Sequence, residues 1–199
     1  MIKLIATDID GTLLNGDAEV PVGFKDMIMR LESKGVYFAI ASGRQYHKLV
    51  DDFSYLKDKL VFIAENGALV MYHGNELFFR ALEKEKVEGI IKDIRAAGGR
   101  DIVLCGKKSA YVETSNPEFE AEVRKYYINC EHVDDLLSVN DDILKVALYD
   151  YISSQDNSFR MFNRKWGQEV NVIVSGKHWM DFGRLDVDKG VALKKLQNM

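Results

Sequence analysis

The stretch TDIDGTLL, residues 7–14, continues a short apolar run, IKLIAT at residues 2–7. The length and the β-branched residues of that run are typical of a buried strand. Two acids, Asp8 and Asp10, come directly after it, and burying a carboxylate is costly unless it is paired or binds a metal. The stretch therefore predicts a strand that leads into a polar site.

The alternation of strand and helix continues to residue 64. Apolar runs at 36–41 and 60–64 predict two more strands, and the segments between the three strands have apolar residues at helical spacing. This order favours a parallel sheet with helices packed on it. In such sheets ligands bind at the carboxyl ends of the strands, where DIDGT, SGR and ENG all lie.

The pattern changes near residue 83, after a hairpin signal in which ALVMY and ELFFRAL flank His73–Asn75. We interpret residues 83–182 as a separate α+β lobe and residues 1–82 with 183–199 as an α/β core, whose last helix begins at Asp188. Within the lobe, the periodicity predicts helices that end at 98, begin at 116 and span about 153–165, and strands at 101–105, 109–113, 143–149, 169–174 and 178–182.

Composition limits the class of protein. The 199 residues are 47% apolar and 29% charged, which is typical of an ordinary globular protein. A net charge of −4 does not favour a nucleic-acid surface, and no apolar run reaches the ~20 residues of a membrane helix. The two cysteines lack metal-ligand spacing and predict reduced thiols. We expect a cytoplasmic protein with neither a nucleic-acid nor a membrane partner.

The residue types at the strand ends suit phosphate chemistry. Asp8 and Asp10 would repel each other by about 4 kcal/mol at ~4 Å, which Mg²⁺ would relieve, and a carboxylate can also be a covalent nucleophile. Ser42 and Lys189, each at the start of a predicted helix, could hold phosphate oxygens. Each motif alone also has a plainer interpretation, as an Asx turn, a helix N-cap or a solvated lysine.

Taken together and in order, TDIDGTLL, ASGR, ENGA and DVDKGVALKKL resemble the motifs of the haloacid dehalogenase-like superfamily of phosphohydrolases. The resemblance is closest to its Cof-like members, which carry a large α+β cap between the third core strand and the lysine motif. It implies an α/β fold with a Rossmann-like parallel-sheet core and an inserted cap at residues 83–182.

The resemblance also implies a role for each matching residue. Asp8 would be the nucleophile of a phosphatase, Asp10 its general acid and base, and Lys189 the catalytic cation that neutralises the phosphoryl group. Asp8 and Asp10, the latter through its backbone carbonyl, would bind the cofactor Mg²⁺. The substrate would be a small phosphorylated metabolite such as a sugar phosphate. The residues that would bind it are Thr12, Ser42, Gly43, Asn66 and Gly67.

One motif of that family, G-D-x-x-N-D, does not occur in the 199 residues. In the family its acid completes the Mg²⁺ site, and its strand lies beside the first strand. We therefore expect a C-terminally incomplete core sheet with residues 2–7 at its edge, and self-association through that edge. We also expect weak Mg²⁺ binding and impaired phosphatase turnover.

Two other functions stay open at this point. A non-catalytic module that binds a phosphorylated ligand or a partner chain would fit the absent motif, but it has no need of a nucleophile at Asp8. A sugar phosphomutase of the same superfamily shares DxDGT and must exclude water from its intermediate. The sequence does not decide between hydrolysis and phosphotransfer.

Overall fold

Each of the three apolar runs forms a strand of one sheet. In the computed structural model, which describes residues 2–14, 19–114 and 116–199, the strand order is β1-β2-β3-β4-β5. β1, β2 and β3 are parallel, whereas β4 and β5 form an antiparallel hairpin beside β3. The predicted parallel order and the hairpin are confirmed. The strands are β1 Leu4–Asp8, β2 Tyr37–Ala41, β3 Leu60–Ala64, β4 Leu69–Tyr72 and β5 Asn75–Phe79.

Helices cover both faces of this sheet. On one face the Phe24 ring lies 5.6 Å from that of Phe38, and the Tyr46 ring lies 5.9 Å from that of Phe62. On the opposite face, Ala192 packs among small and branched side chains of the strands. This arrangement explains why the strands are apolar on both sides. The helices that pack on the sheet are α1 Phe24–Glu32, α2 Tyr46–Asp52 and, at the far end of the sequence, α6 Lys189–Gln197.

The first strand lies at one edge of the sheet, as the sequence led us to expect. Among the described strands, β1 is paired with β2 alone. Ala6, in the middle of β1, is exposed. The backbone groups on the outer side of β1 are therefore placed where another strand could pair with them.

The chain divides into two units, Met1–Phe79 with Val187–Met199 and Arg80–Asp186. The sequence pattern predicts the boundaries between these units at residues 82/83 and 182/183. The assignment of the units as core and cap stays a prediction. The second unit is built on a six-stranded sheet of order β10-β11-β9-β6-β7-β8, antiparallel except for β7 and β8. Its strands are β6 Arg100–Gly106, β7 Ala110–Val112, β8 Cys130–His132, β9 Ile143–Asp150, β10 Asn171–Val174 and β11 Trp179–Gly183.

Three helices pack on this second sheet. Ile90 and Phe162 lie in the apolar cluster on one face, and Phe119 lies in the cluster on the other. The predicted helix at 153–165 is confirmed: residues Ser154–Phe159 form a wider π-helical segment that continues directly into an α-helix. Over the described ranges of the chain, no helix has the length and the hydropathy needed to cross a membrane. The helices are α3 Lys84–Ala97, α4 Pro117–Tyr126 and α5 Arg160–Trp166.

The buried carboxylate of Asp150 holds the π-helical segment that precedes α5. It accepts hydrogen bonds from the backbone amide of Ile152 at 2.8 Å, from Asn157 Nδ2 at 2.8 Å and from Ser158 Oγ, and Arg100 Nε lies 3.4 Å away. Burial alone would raise the pKa of Asp150, but these hydrogen bonds outweigh it and lower the pKa. The π-helical segment before α5 is therefore anchored to one carboxylate at the end of β9, through Asn157 and Ser158.

Candidate active site

Three loops singled out by the sequence leave the first sheet at the same edge. Asp8 at the end of β1 is in register with Ala41 of β2, and Ala41 is in register with Ile63 of β3. Because neighbouring strands lie about 4.8 Å apart, the DIDGT, SGR and ENG segments begin side by side.

The predicted nucleophile and the predicted cation meet at this edge. Lys189 Nζ donates a hydrogen bond to Asp8 Oδ1, although the two residues are 181 positions apart in the sequence. Asp188 accepts a hydrogen bond from the Val191 amide at 2.6 Å and so caps α6 at the point where Lys189 begins it. The side chains of Asp8 and Lys189 are each 40% exposed, so a ligand can reach both of them.

The second acid of the DxD pair has a different basic partner. Arg44 Nη2 donates to Asp10 Oδ1 at 2.6 Å, and Arg44 Nη1 donates to Asp52 Oδ2 at 2.8 Å. Burial alone would lower the pKa of Arg44, but the hydrogen bonds and charges of Asp10 and Asp52 outweigh it and raise the pKa. The side chains of Asp8 and Asp10 thus each contact a separate basic side chain. The sequence motifs predict no role for Arg44.

Ser42 lies directly after β2 and is only 2% exposed. Its hydroxyl oxygen accepts a hydrogen bond from the Arg44 amide at 3.2 Å, and its carbonyl accepts one from the Asn66 amide at 3.0 Å. A hydroxyl that accepts one bond can still donate another to a ligand. Gly43 lies against Asn66, because a Cβ added at Gly43 would stand 2.7 Å from Asn66 Oδ1. The SGR and ENG loops are therefore joined to each other.

The ENG loop has an uncommon backbone. Glu65, Asn66 and Gly67 have φ angles of 49°, 58° and 99°, so three consecutive residues adopt the left-handed region that costs energy for residues other than glycine. A Cβ added at Gly67 would lie 2.3 Å from the carbonyl oxygen of Asp188, immediately before α6. Gly67, which the resemblance places beside the substrate, thus also lets the loop pack against the residue that precedes Lys189.

The oxygens at this edge suit Mg²⁺. Proteins commonly hold this ion with one or two carboxylates, water and substrate phosphate, and the 40% and 64% exposure of the Asp8 and Asp10 side chains leaves space for such further ligands. No group of three or more His, Cys, Asp or Glu side chains that could hold a metal occurs among residues 2–14, 19–114 and 116–199. Thr12 is exposed in the turn Ile9–Leu13 that follows β1.

Comparison with known proteins identifies the family. Residues 5–199 match the sequence profile described as haloacid dehalogenase-like hydrolase. The chain belongs to this family. It is 30% identical over 149 residues to 5-amino-6-(5-phospho-D-ribitylamino)uracil phosphatase YbjI of Escherichia coli strain K12. That match covers 74% of this chain and 55% of the relative, so the chain spans little more than half the length of that phosphatase.

The fold of this chain is similar to those of several solved structures. A crystal structure of a protein from Eubacterium rectale superposes with a TM-score of 0.87 at 27% identity, over 99% of this chain and 76% of that one. A haloacid dehalogenase-like hydrolase from Bacillus subtilis superposes with a TM-score of 0.84 at 17% identity, over 99% of this chain and 78% of that one, which shows the shared fold. The α/β fold and the family implied by the sequence motifs are confirmed.

Proposed function

We propose that this haloacid dehalogenase-like chain hydrolyses phosphomonoesters through a phosphorylated Asp8. The observation that carries the proposal is the contact between Lys189 Nζ and Asp8 Oδ1 at the carboxyl edge of the parallel strands. A cation beside a partly exposed carboxylate can attract a phosphate group to that carboxylate and offset the charge that develops during transfer.

In the first step, an oxygen of Asp8 forms a bond to phosphorus while the ester P–O bond breaks. The leaving oxygen takes a proton from the carboxyl group of Asp10, and the alcohol departs. Lys189 offsets the negative charge of the phosphoryl oxygens, and Ser42 donates a hydrogen bond to one of them.

In the second step, water attacks the phosphorus of the acyl phosphate. The Asp10 carboxylate takes a proton from the water, the bond between phosphorus and the Asp8 oxygen breaks, and inorganic phosphate leaves. Both side chains return to their starting protonation states, so the cycle balances.

Asp8 and the backbone carbonyl of Asp10 are the groups we propose to hold Mg²⁺. When bound there, the ion would supply positive charge that offsets the negative charge of a phosphoryl group. Every other part of the proposed cycle uses side chains that the first unit itself provides.

The proposal is tested by measuring phosphate release from p-nitrophenyl phosphate and from sugar phosphates, with Mg²⁺ and with EDTA. Mg²⁺-dependent release, together with an Asp8 adduct in the presence of beryllium fluoride, supports hydrolysis. If the chain isomerises a sugar phosphate without releasing phosphate, it is a phosphomutase. If it binds a phosphorylated ligand without forming either product, it is a non-catalytic binding module. The weak turnover expected for these 199 residues stays a prediction that the same assay measures.

Loss of the ammonium group at Lys189 should impair catalysis strongly. We expect Lys189→Gln to lower kcat by roughly 10²–10³-fold, which is the usual effect of removing one preorganised group that stabilises transition-state charge. Lys194→Gln is the matched control, because Lys194 is an exposed lysine of the same helix. Equal kcat values for the two variants would exclude Lys189 from the reaction.

For the substrate we propose a small phosphorylated metabolite with an alkyl leaving group. The name of the E. coli relative describes a phosphatase of a ribityl phosphate, which supports a sugar-like substrate here. We propose a cytoplasmic location, in keeping with Cys105 and Cys130 being free thiols in the structure.

We also propose that this chain associates with itself through the outer edge of β1. Light scattering after size-exclusion chromatography should show a mass that rises with protein concentration. A charge on an edge strand opposes pairing, so Ala6→Lys should shift the protein towards the monomer. A wild-type chain that is monomeric at every concentration would contradict the proposal.

A further inference from the structure

We infer that Arg44 is a positioning residue that fixes the carboxylate of Asp10 for its two proton transfers. The inference rests on the proposed function, because it concerns the residue there assigned as general acid and base. Arg44 contacts both Asp10 and Asp52, and neither the sequence motifs nor the family match gives these contacts a role.

The anchoring of Arg44 shows which member of the pair holds the other. Its Nη1 donates to Asp52 Oδ2 at 2.8 Å, its backbone amide donates to Ser42 Oγ at 3.2 Å, and its carbonyl accepts from the Glu65 amide at 3.1 Å. The Arg44 side chain is 23% exposed, whereas that of Asp10 is 64% exposed. Asp10 therefore takes its position from Arg44.

Asp52 is itself held in place. It is the last residue of α2, and Lys48, one turn earlier on the same helix, donates to its other oxygen at 2.5 Å. The guanidinium thus joins a carboxylate fixed on a helix to a carboxylate in a loop, through two different nitrogens. Lysine cannot reproduce this, because its single ammonium group lacks the planar fork of arginine.

The contact with Asp10 matters for orientation more than for stability. Exposed ion pairs contribute little to folding free energy. A general acid, by contrast, must lie within hydrogen-bond reach of the leaving oxygen, and small displacements at a reacting centre greatly reduce rates. An exposed aspartate without a fixed partner would divide its time among several rotamers.

The experiment compares two substrates that differ in their need for a proton. An alkyl phosphate, such as a hexose 6-phosphate, releases a strongly basic alkoxide unless Asp10 protonates it, whereas p-nitrophenolate leaves unaided. We expect Arg44→Gln to lower kcat/KM for the alkyl phosphate by roughly 10²-fold and for p-nitrophenyl phosphate by about threefold or less. Arg44→Lys should not restore the alkyl phosphate reaction.

Two further variants make the test specific. Asp52→Asn should give the same preference for p-nitrophenyl phosphate with a smaller loss, because it removes one anchor of Arg44. Lys59→Gln is the control, since Lys59 forms a comparable ion pair with Glu32 at 2.6 Å elsewhere in the same unit. An equal loss for both substrates in Arg44→Gln, or a substrate preference in Lys59→Gln, would overturn the inference.

Crystal structures of the wild type and of Arg44→Gln supply a readout that does not need turnover. We expect one Asp10 rotamer in the wild type and several in the variant. An unchanged single rotamer in the variant overturns the inference whether or not the protein is active. Asp8→Asn in the same kinetic series tests the proposed function separately. Activity that survives this change would disprove the proposed function, and the Asp10 rotamers would then be the remaining test of the role of Arg44.

Discussion

Replacing Asp8 by asparagine should lower Mg²⁺-dependent phosphate release by roughly 10⁴-fold or more, which is the scale of effect seen when a covalent nucleophile is removed. The amide is nearly the same size as the carboxylate, but it is a poor nucleophile and has lost the charge that faces Lys189. The measurement is the initial rate of phosphate release under saturating Mg²⁺, together with beryllium fluoride trapping, in which the variant should form no adduct.

The control for this prediction is Asp26→Asn. Asp26 is an exposed acid in the first turn of α1, so its replacement changes the net charge equally without touching the strand ends. Circular dichroism should show both variants folded. Hydrolysis by Asp8→Asn at more than a tenth of the wild-type rate would eliminate the phosphoenzyme mechanism.

Replacing Gly67 by alanine should give the largest loss of stability that we predict for the first unit. The new Cβ would stand 2.3 Å from the carbonyl oxygen of Asp188. The backbone would also force alanine to adopt a φ of 99°, in the left-handed region. The overpacking and the backbone strain together should lower the free energy of unfolding by about 3 kcal/mol. Lys189 directly follows the displaced carbonyl, so kcat should also fall by roughly 10²-fold.

Gly74→Ala separates the two causes. Gly74, in the turn between β4 and β5, also has a left-handed φ of 70°, but a Cβ there meets nothing within 4 Å. Urea unfolding should show a loss of about 1 kcal/mol for this backbone cost alone, with kcat unchanged. Equal losses in the two variants would mean that the packing against Asp188 contributes nothing.

The sequence predicted the parallel strands of the first unit well, because each is a continuous apolar run followed by a loop. It missed β8, since Cys130–His132 is three residues long and largely polar, and such an edge strand has no periodic signal. It predicted the helix at 153–165, but not that its first part, Ser154–Phe159, is π-helical. Asn157 and Ser158 of that segment donate hydrogen bonds to Asp150, and a hydrophobic pattern does not report such contacts.

At the candidate site, the order of the motifs was enough to predict that Lys189 would meet Asp8. The contact between Arg44 and Asp10 was not predicted, because a single arginine in a loop has no partner that spacing can identify. The close approach of Gly67 to Asp188 depends on how a loop and a distant helix dock on the sheet. Such a distance follows from packing, which local sequence does not encode.

The contact between Lys189 and Asp8 has a consequence for how the protein is made. A ribosome adds about 5–20 residues per second, and domains generally fold during synthesis, from the N-terminus onward. Lys189 is synthesised 181 residues after Asp8, which corresponds to a delay on the order of ten seconds or more. During that interval Asp8 lacks the Lys189 ammonium group that it contacts in the folded protein.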